Sequence, residues 1–371
     1  MVQLICFHCF QEIDKELYIC NNIRCTSPTK EVVPNISGGK RVCPTCGKKV
    51  GFRICPNCKC QIPFDQENQK NIFYAIAGVR GCGKTHYMTV LIDRMKELSN
   101  EFEWNIQGIG DTEEIYRTNY YNPLFKNHTT LEGTDPLSIR KDYDVLSYRL
   151  KLKNGKTIYL HFIDTAGEDV RDIRGTSAIG NYLSYAQGLI YIIDPTICDG
   201  VSDVVGSGHG ADEDTDYIST FNSICQTIRS FNRIGDKKKI PIPLAIVMAK
   251  VDVLLREPKS QEEMSALLGP ESAINKPRVK GRFDEENSYA IDQEIRGYIG
   301  KYSSGQINQA AESEFKVSRF FGVSALGKDP EGKRIDKIEP LRVEDPILWL
   351  IYGKNTKTDK FPDLPDLFHR R

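Results

Sequence analysis

Eight residues, Gly78-Val79-Arg80-Gly81-Cys82-Gly83-Lys84-Thr85, fit the pattern G-x-x-x-x-G-K-[ST] at every fixed position. Ile72 to Ala77 before them is an apolar run of strand length, and Met88, Leu91, Met95 and Leu98 after them recur at helical spacing. Strand, glycine loop and helix therefore come in the order that a phosphate cradle needs. Glycines let successive backbone N–H groups turn toward one anion, and the helix N-terminus adds a favourable dipole. Gly78, Gly81 and Gly83 supply the loop. Lys84 is placed to reach the β- and γ-phosphates, and Thr85 to set its hydroxyl on a Mg²⁺ ion that bridges them.

A chain of 371 residues, 40% hydrophobic and 27% charged, suits two domains, or one with large insertions, around a sizeable core. Its formal net charge of zero excludes a global field toward nucleic acid or membrane. No apolar run approaches the length of a membrane span, and the N-terminus lacks a basic-then-apolar signal, so the expected location is the cytoplasm, with no membrane partner.

Nine of the twelve cysteines precede residue 61, which describes a local module rather than a disulfide-laced chain. Residues 1–66 hold four pairs: Cys6/Cys9, Cys20/Cys25, Cys43/Cys46 and Cys55/Cys58. Eight thiols suit two tetrahedral Zn²⁺ sites, and C-P-T-C with the later C-P-N-C reads as a pair of zinc-ribbon knuckles. Paired knuckles favour zinc over an iron–sulfur cluster. Sequential and interleaved pairing both close with eight ligands; sequential pairing is the expectation, because short ligand spacing is the usual zinc pattern. His8 is a possible substitute ligand, and Cys60 is read as a spare thiol. The module has nine basic and five acidic residues, a surplus that two zinc ions on eight thiolates would cancel. A protein-docking or structural role is therefore favoured over a grip on nucleic acid.

Residues 67–353 read as the nucleotide domain, with an insertion at about 253–318, and residues 354–371 as a C-terminal extension. Residues 100 to 140 show no clear period and read as a long switch-like loop, with Thr129, Thr130 and Thr134 as candidates for a Mg²⁺ contact. Leu146, Tyr148, Leu150 and Leu152 alternate, Asn154-Gly155 offers a turn, and Ile158, Leu160 and Phe162 alternate on the way back, a hairpin that feeds Asp164. Asp164-Thr165-Ala166-Gly167-Glu168 matches D-x-x-G, in which the carboxylate holds Mg²⁺ through water and the Gly167 N–H senses the γ-phosphate. Asp194, with proline after it, is read as a strand-end residue instead. Ala249-Lys250-Val251-Asp252 stands at the end of a buried strand. Its aspartate is suited to accept from the guanine N1–H and exocyclic amine, donors that adenine lacks. Val323-Ser324-Ala325-Leu326 then offers backbone to the guanine oxygen. In the insertion, Lys276, Arg278, Lys280 and Arg282 form a basic stretch, either a solvated face or a dock for an acidic partner.

With these motifs in place, residues 70 to 352 resemble GTPases of the translation-factor and Ras-related class. The whole layout, with its cysteine-rich start and R-V-E-D-P-I-L-W-L near the end, resembles bacterial "double-GTPase" proteins with an N-terminal zinc ribbon. The resemblance implies a P-loop NTPase fold: a predominantly parallel, doubly wound α/β sheet of the Ras-like kind with one antiparallel edge strand, preceded by a small zinc-ribbon module. It implies GTP/GDP and Mg²⁺ held by Lys84, Thr85, Asp164, Gly167, Lys250, Asp252, Ser324 and Ala325. It also implies partner proteins, in prokaryotic conflict or defence, that read the GTP state of loops 110 to 135 and 165 to 180.

Three departures stand out. Ala249 replaces the Asn or Thr that normally ties the base loop to the phosphate loop. Glu168 stands where a water-orienting glutamine is usual, with Asp169 beside it as a second candidate, so slow hydrolysis is expected. Arg80 either blocks an external arginine or itself brings charge to the phosphates. Lys84, Glu168, Asp169 and Arg80 are thus the catalytic candidates. The rival expectations are a GTP-sensing scaffold that hardly hydrolyses, and a nucleic-acid-associated NTPase that grips through the zinc module.

Overall fold

The computed structural model describes residues 4–6, 8–62, 70–133, 144–163, 178–195, 201, 217–302, 305–328, 330 and 332–353. At the N-terminal end the strands are only two or three residues long: β1 (Leu4–Ile5), β2 (Glu12–Ile13), β3 (Leu17–Ile19), β4 (Glu31–Val32), β5 (Asn35–Ser37), β6 (Lys40–Val42), β7 (Arg53–Ile54) and β8 (Gln61–Ile62). They make a four-stranded sheet in the order β4-β3-β7-β8 and two separate two-stranded ribbons. Ladders this short cannot hold themselves together. The module's buried interior is shared between Cys6, Cys20, Cys25, Cys43 and Cys55 and a few apolar side chains such as Tyr18, Val32, Val50 and Ile62.

The second sheet has seven strands: β9 (Lys70–Gly78), β10 (Asn105–Gly108), β11 (Val145–Lys151), β12 (Thr157–Ile163), β13 (Gly188–Ile193), β14 (Leu244–Met248) and β15 (Ser318–Gly322). Their order is β10-β11-β12-β9-β13-β14-β15. The pairs from β12 through β9, β13 and β14 to β15 are parallel, while β11 runs antiparallel to both its neighbours. The one reversed strand is therefore second from the edge and not at it, because β10 pairs outside it. β10 comes from the stretch that lacks a readable period. The rest of that stretch includes a short helix, Thr112–Ile115, running into an eleven-residue π-helix, Tyr116–Lys126, where the sequence suggests a loop.

The hairpin register agrees with the alternation in the sequence: Leu146 faces Phe162, Tyr148 faces Leu160 and Leu150 faces Ile158. All six are buried on one face of the sheet with Met88, Leu91, Met95 and Leu98 of helix α1 (Lys84–Glu97) and its C-cap. In β9 the period of two divides the side chains cleanly. Ile72, Tyr74 and Ile76 join α1 and the Asp345–Tyr352 helix on that face, while Phe73, Ala75 and Ala77 join the helices at 178–185, 217–232, 285–302 and 306–314 on the other. Helices cover both faces, so the domain is a doubly wound α/β fold.

The insertion packs back onto the domain. Its long helix occupies Glu285–Tyr302. Arg278 pairs with Glu101 and Glu344 and lies over the Phe102 ring. One residue of the basic stretch thus ties the insertion to the end of α1, which leaves less of that stretch for an acidic partner.

The cysteine module also docks on the domain. Phe10, only 4% exposed, sits edge-on to Phe73 with ring centroids 5.5 Å apart and stacks on Tyr185 at 6.0 Å. Phe10 has a left-handed backbone (φ 56°), uncommon for a bulky side chain. The turn after the Cys6/Cys9 pair imposes it, because the Phe10 N–H closes on the Cys6 carbonyl at 2.8 Å.

Candidate functional site

At the carboxyl end of β9 the chain turns into α1 through the glycine loop. A Cβ on Gly78 would lie 2.5 Å from the Ile192 carbonyl oxygen, so no larger residue fits between β9 and β13. Gly81 and Gly83 have φ of 76° and 88° with open space around them. Their requirement is backbone conformation alone, and the space beside them is what an anion would fill. The Lys84 Nζ donates to the carbonyls of Gly78 (2.9 Å) and Val79 (2.7 Å), so its head lies over the loop. Thr85 is in the first turn of α1, and Arg80 is exposed at the rim. The loop therefore has the shape, donors and charge that a nucleoside polyphosphate requires.

The A-K-V-D motif stands two strands away. β14 ends at Met248, and Lys250, in a left-handed conformation (φ 50°), caps a short 3₁₀ turn that carries Asp252. The Ser324 loop lies beside it: the Val251 N–H donates to the Val323 carbonyl at 3.1 Å, and Ser324 Oγ accepts the Gly327 N–H at 2.9 Å. A-K-V-D and S-A-L, 75 residues apart in the chain, are thus brought together. Ala249 has only a methyl group and cannot tie this loop down by a hydrogen bond. Lys250 supplies a tie instead, with its Nζ 2.5 Å from Asp194 Oδ2. Asp194 keeps its strand-end place but has this second use, which the sequence does not reveal. Burial raises the pKa of Cys82 in the glycine loop, and the charges of Lys84, Asp194 and Lys250 act on it as well.

Nothing in the sequence singles out His86. Its Nε2 accepts the Leu131 N–H at 3.1 Å, drawing the segment after the π-helix against the first turn of α1. Thr129 and Thr130 are on that segment. The Thr129 hydroxyl donates to the Pro123 carbonyl at 3.0 Å, and the Thr130 N–H donates to the Lys333 carbonyl at 2.8 Å. Thr134, and the motif residues Asp164, Gly167, Glu168 and Asp169, lie outside the described residues. β12 ends at Ile163, parallel to β9.

Burial, and secondarily the Lys250 charge, hold the His86 pKa down at about 4. The neutral ring is what the Leu131 contact needs. Between that value and the ordinary one near 6.5 the unfolded chain binds more protons, so stability falls as pH drops through this window. Acidification from about pH 7 to about pH 5 is expected to cost about 1–2 kcal/mol from this group. Denaturant titrations at both pH values should show that loss reduced in His86→Gln.

The eight module cysteines gather into two clusters, Cys6/Cys9/Cys55/Cys58 and Cys20/Cys25/Cys43/Cys46. This corrects the expected sequential pairing: the outer pairs share one cluster and the inner pairs the other. The cause is the antiparallel pairing of β3 with β7, Leu17 opposite Ile54. In such a pair, residues before one strand lie beside residues after the other. Cys6 and Cys9 come before β3 and meet Cys55 and Cys58 after β7; Cys20 and Cys25 come after β3 and meet Cys43 and Cys46 before β7.

Three of the four pairs share one turn. The N–H groups of Phe10, Gly47 and Lys59 donate to the carbonyls of Cys6, Cys43 and Cys55. All three residues have a left-handed φ, of 56°, 68° and 64°. Sulfur–sulfur distances of 3.7 Å for Cys6–Cys58, Cys9–Cys55 and Cys20–Cys46, and 3.8 Å for Cys25–Cys43, equal the edge of about 3.8 Å expected for a tetrahedron with Zn–S of about 2.3 Å. The donor set and its spacing fit zinc.

Among the described residues no helix is long and apolar enough to cross a membrane. The chain is 27% identical over 300 residues to SaeC of Mycolicibacterium smegmatis, provisionally named an ESX-1 scaffolding and assembly protein, covering 76% of this chain and 74% of that one. Among solved structures it is similar to a bacterial selenocysteine-specific elongation factor, EF-Sec (14% identity, TM-score 0.27, 69% of this chain and 26% of that one). It is also similar to the GTP-bound GTPase-like domain of S. cerevisiae Ski7 (13% identity, TM-score 0.33, 81% of this chain and 54% of that one). The model of one family, Double-GTPase 2, matches residues 72–316, from β9 to the end of the insertion, and the chain belongs to that family.

Proposed function

We propose that this GTP-binding P-loop protein is a Mg²⁺-dependent switch that hydrolyses GTP slowly and presents its nucleotide state to a protein partner. The observation that carries the reading is the convergence of the glycine loop with A-K-V-D and S-A-L at one end of the parallel strands, tied by Lys250 and Asp194. Ligands of open parallel sheets bind at that end. Lys84 and the N–H groups of the loop would hold the phosphates. Thr85 and Asp164 would hold Mg²⁺, whose chemistry is to neutralise charge on the β- and γ-phosphates. Asp252 would accept from guanine, with Ser324 and Ala325 beside the base. Glu168, Asp169 and Arg80 are the residues proposed for water and charge positioning.

The π-helix favours the switch reading. Single π turns within helices occur frequently at functional sites, and this longer π segment leads into the stretch that His86 holds against α1. The second reading, a GTP-sensing scaffold with little turnover, is favoured by the name of SaeC. No described residue bears on a defence setting.

Single-turnover hydrolysis of GTP and ATP, side by side, tests the proposal. GTP is expected to be cleaved slowly and ATP far less, and Asp252→Asn is expected to lose on the order of 10²-fold or more of the guanine preference. GTP bound but not cleaved would favour the scaffold. Equal use of ATP would overturn the guanine assignment.

A further inference from the structure

Six potential ligands, not four, converge at the outer cysteine cluster. Besides Cys6, Cys9, Cys55 and Cys58, the Cys60 Sγ lies 3.4 Å from the Cys6 Sγ. His8, Cys58 and Cys60 each offer a ligand atom, all within 4.8 Å of one another. The shared turn explains how Cys60 gets there. In each of the three like turns, the carbonyl five residues after the first cysteine accepts that cysteine's N–H: Gln11 for Cys6, Lys48 for Cys43 and Cys60 for Cys55. Only in the last of these is the residue a thiol. His8 belongs to the facing turn, where its backbone N–H points at the Cys6 Sγ from 3.4 Å.

One tetrahedral ion uses four ligands, and two tetrahedra that share an edge use six. The outer cluster has the shared edge in Cys6 and Cys58, 3.7 Å apart. To one side stand Cys9 and Cys55, also 3.7 Å apart. Cys60 and His8 lie within 4.8 Å of Cys58 and of each other, with the Cys60 Sγ 3.4 Å from Cys6. We propose that the outer cluster is a binuclear zinc centre, bridged by the Cys6 and Cys58 thiolates, with Cys9 and Cys55 completing one ion and Cys60 and His8 the other.

Charge supports the second ion. Five sulfurs gathered around fully buried Cys6 and Cys55 would repel one another as thiolates around a single Zn²⁺. Two ions against five thiolates and a neutral imidazole leave one net negative charge. Soft thiolate donors and tetrahedral edges select zinc over harder cations. The inner cluster has no such extra ligands among the described residues and takes one ion. This inference rests on the reading of both clusters as zinc sites.

The test is zinc per chain in the intact protein, by inductively coupled plasma and native mass spectrometry after excess zinc has been removed by gel filtration. Cys60→Ser and His8→Ala are measured alongside. Three ions are expected in the wild type and two in either variant. ¹¹³Cd substitution should give three resonances, one displaced from the others by its nitrogen ligand and absent in His8→Ala. Two ions in the wild type, or a third that survives in both variants, would overturn the binuclear centre and leave one ion per cluster. Fewer than two would overturn the zinc reading itself.

Discussion

Lys84→Ala is expected to weaken GTP binding by about 10²-fold to 10³-fold, the cost of removing one partner from a buried, hydrogen-bonded charge contact. The side chain is already positioned for this. It is buried, and both its present acceptors are carbonyls of the loop that would surround the phosphates. Those carbonyls hold the cation over the cradle, and phosphate oxygens would compete for the same donors. Because the substitution also removes a tie within the loop, its circular dichroism and unfolding midpoint should be compared with wild type. Lys84→Arg serves as the second variant, since it keeps the charge and changes the reach. Calorimetric titration with GTP is the readout. Wild-type affinity in both variants, in folded protein, would remove the glycine loop from the binding site.

Stripping the metal is expected to have the largest structural effect. Zinc binding to small cysteine modules contributes about 10–16 kcal/mol per ion near neutral pH, and there it is the folding energy itself. Among the described residues of 4–62 no strand is longer than three residues, and their interior is two small clusters, each built around four of the eight thiols with only a few apolar side chains beside them. A strong chelator should therefore unfold the module. The main sheet, with apolar layers on both faces, should remain. Phe10 should leave its place against Phe73 and Tyr185, because the left-handed turn that aims it closes on the Cys6 carbonyl. Hydrogen exchange with mass spectrometry separates the two regions. Protection should vanish in residues 8–62 and persist in β9, β13 and β14. A module that stays protected without metal would show that the clusters are not structural zinc sites.

Features set by local chemistry are legible in the sequence. The glycine loop needs particular residues at fixed spacing, and the hairpin register reflects which of Leu146, Tyr148 and Leu150 must face Ile158, Leu160 and Phe162. Features set by distant pairing are not. The nesting of the cysteine clusters depends on β3 meeting β7, and nothing in the spacing of four cysteine pairs encodes that meeting. β10 is an edge strand of four residues with no strong alternation. Beyond it, the buried Tyr116, Tyr120 and Leu124 recur every four residues, a spacing that a helical stripe allows, but Pro123 among them reads as a helix breaker. The roles of His86 and Asp194 are hidden for another reason: each acts through one partner, Leu131 or Lys250, whose proximity only the fold creates.

If the glycine loop and the Lys250–Asp252 loop form one guanine-nucleotide site, both must act on the same ligand. The most direct measurement is calorimetric titration of the purified chain with GTP and with ATP, with and without Mg²⁺, in wild type and Asp252→Asn. Tight, Mg²⁺-dependent binding of GTP, much weaker binding of ATP, and collapse of that difference in the variant are expected. Equal affinity for the two nucleotides, or a preference that Asp252→Asn leaves intact, would contradict a shared site.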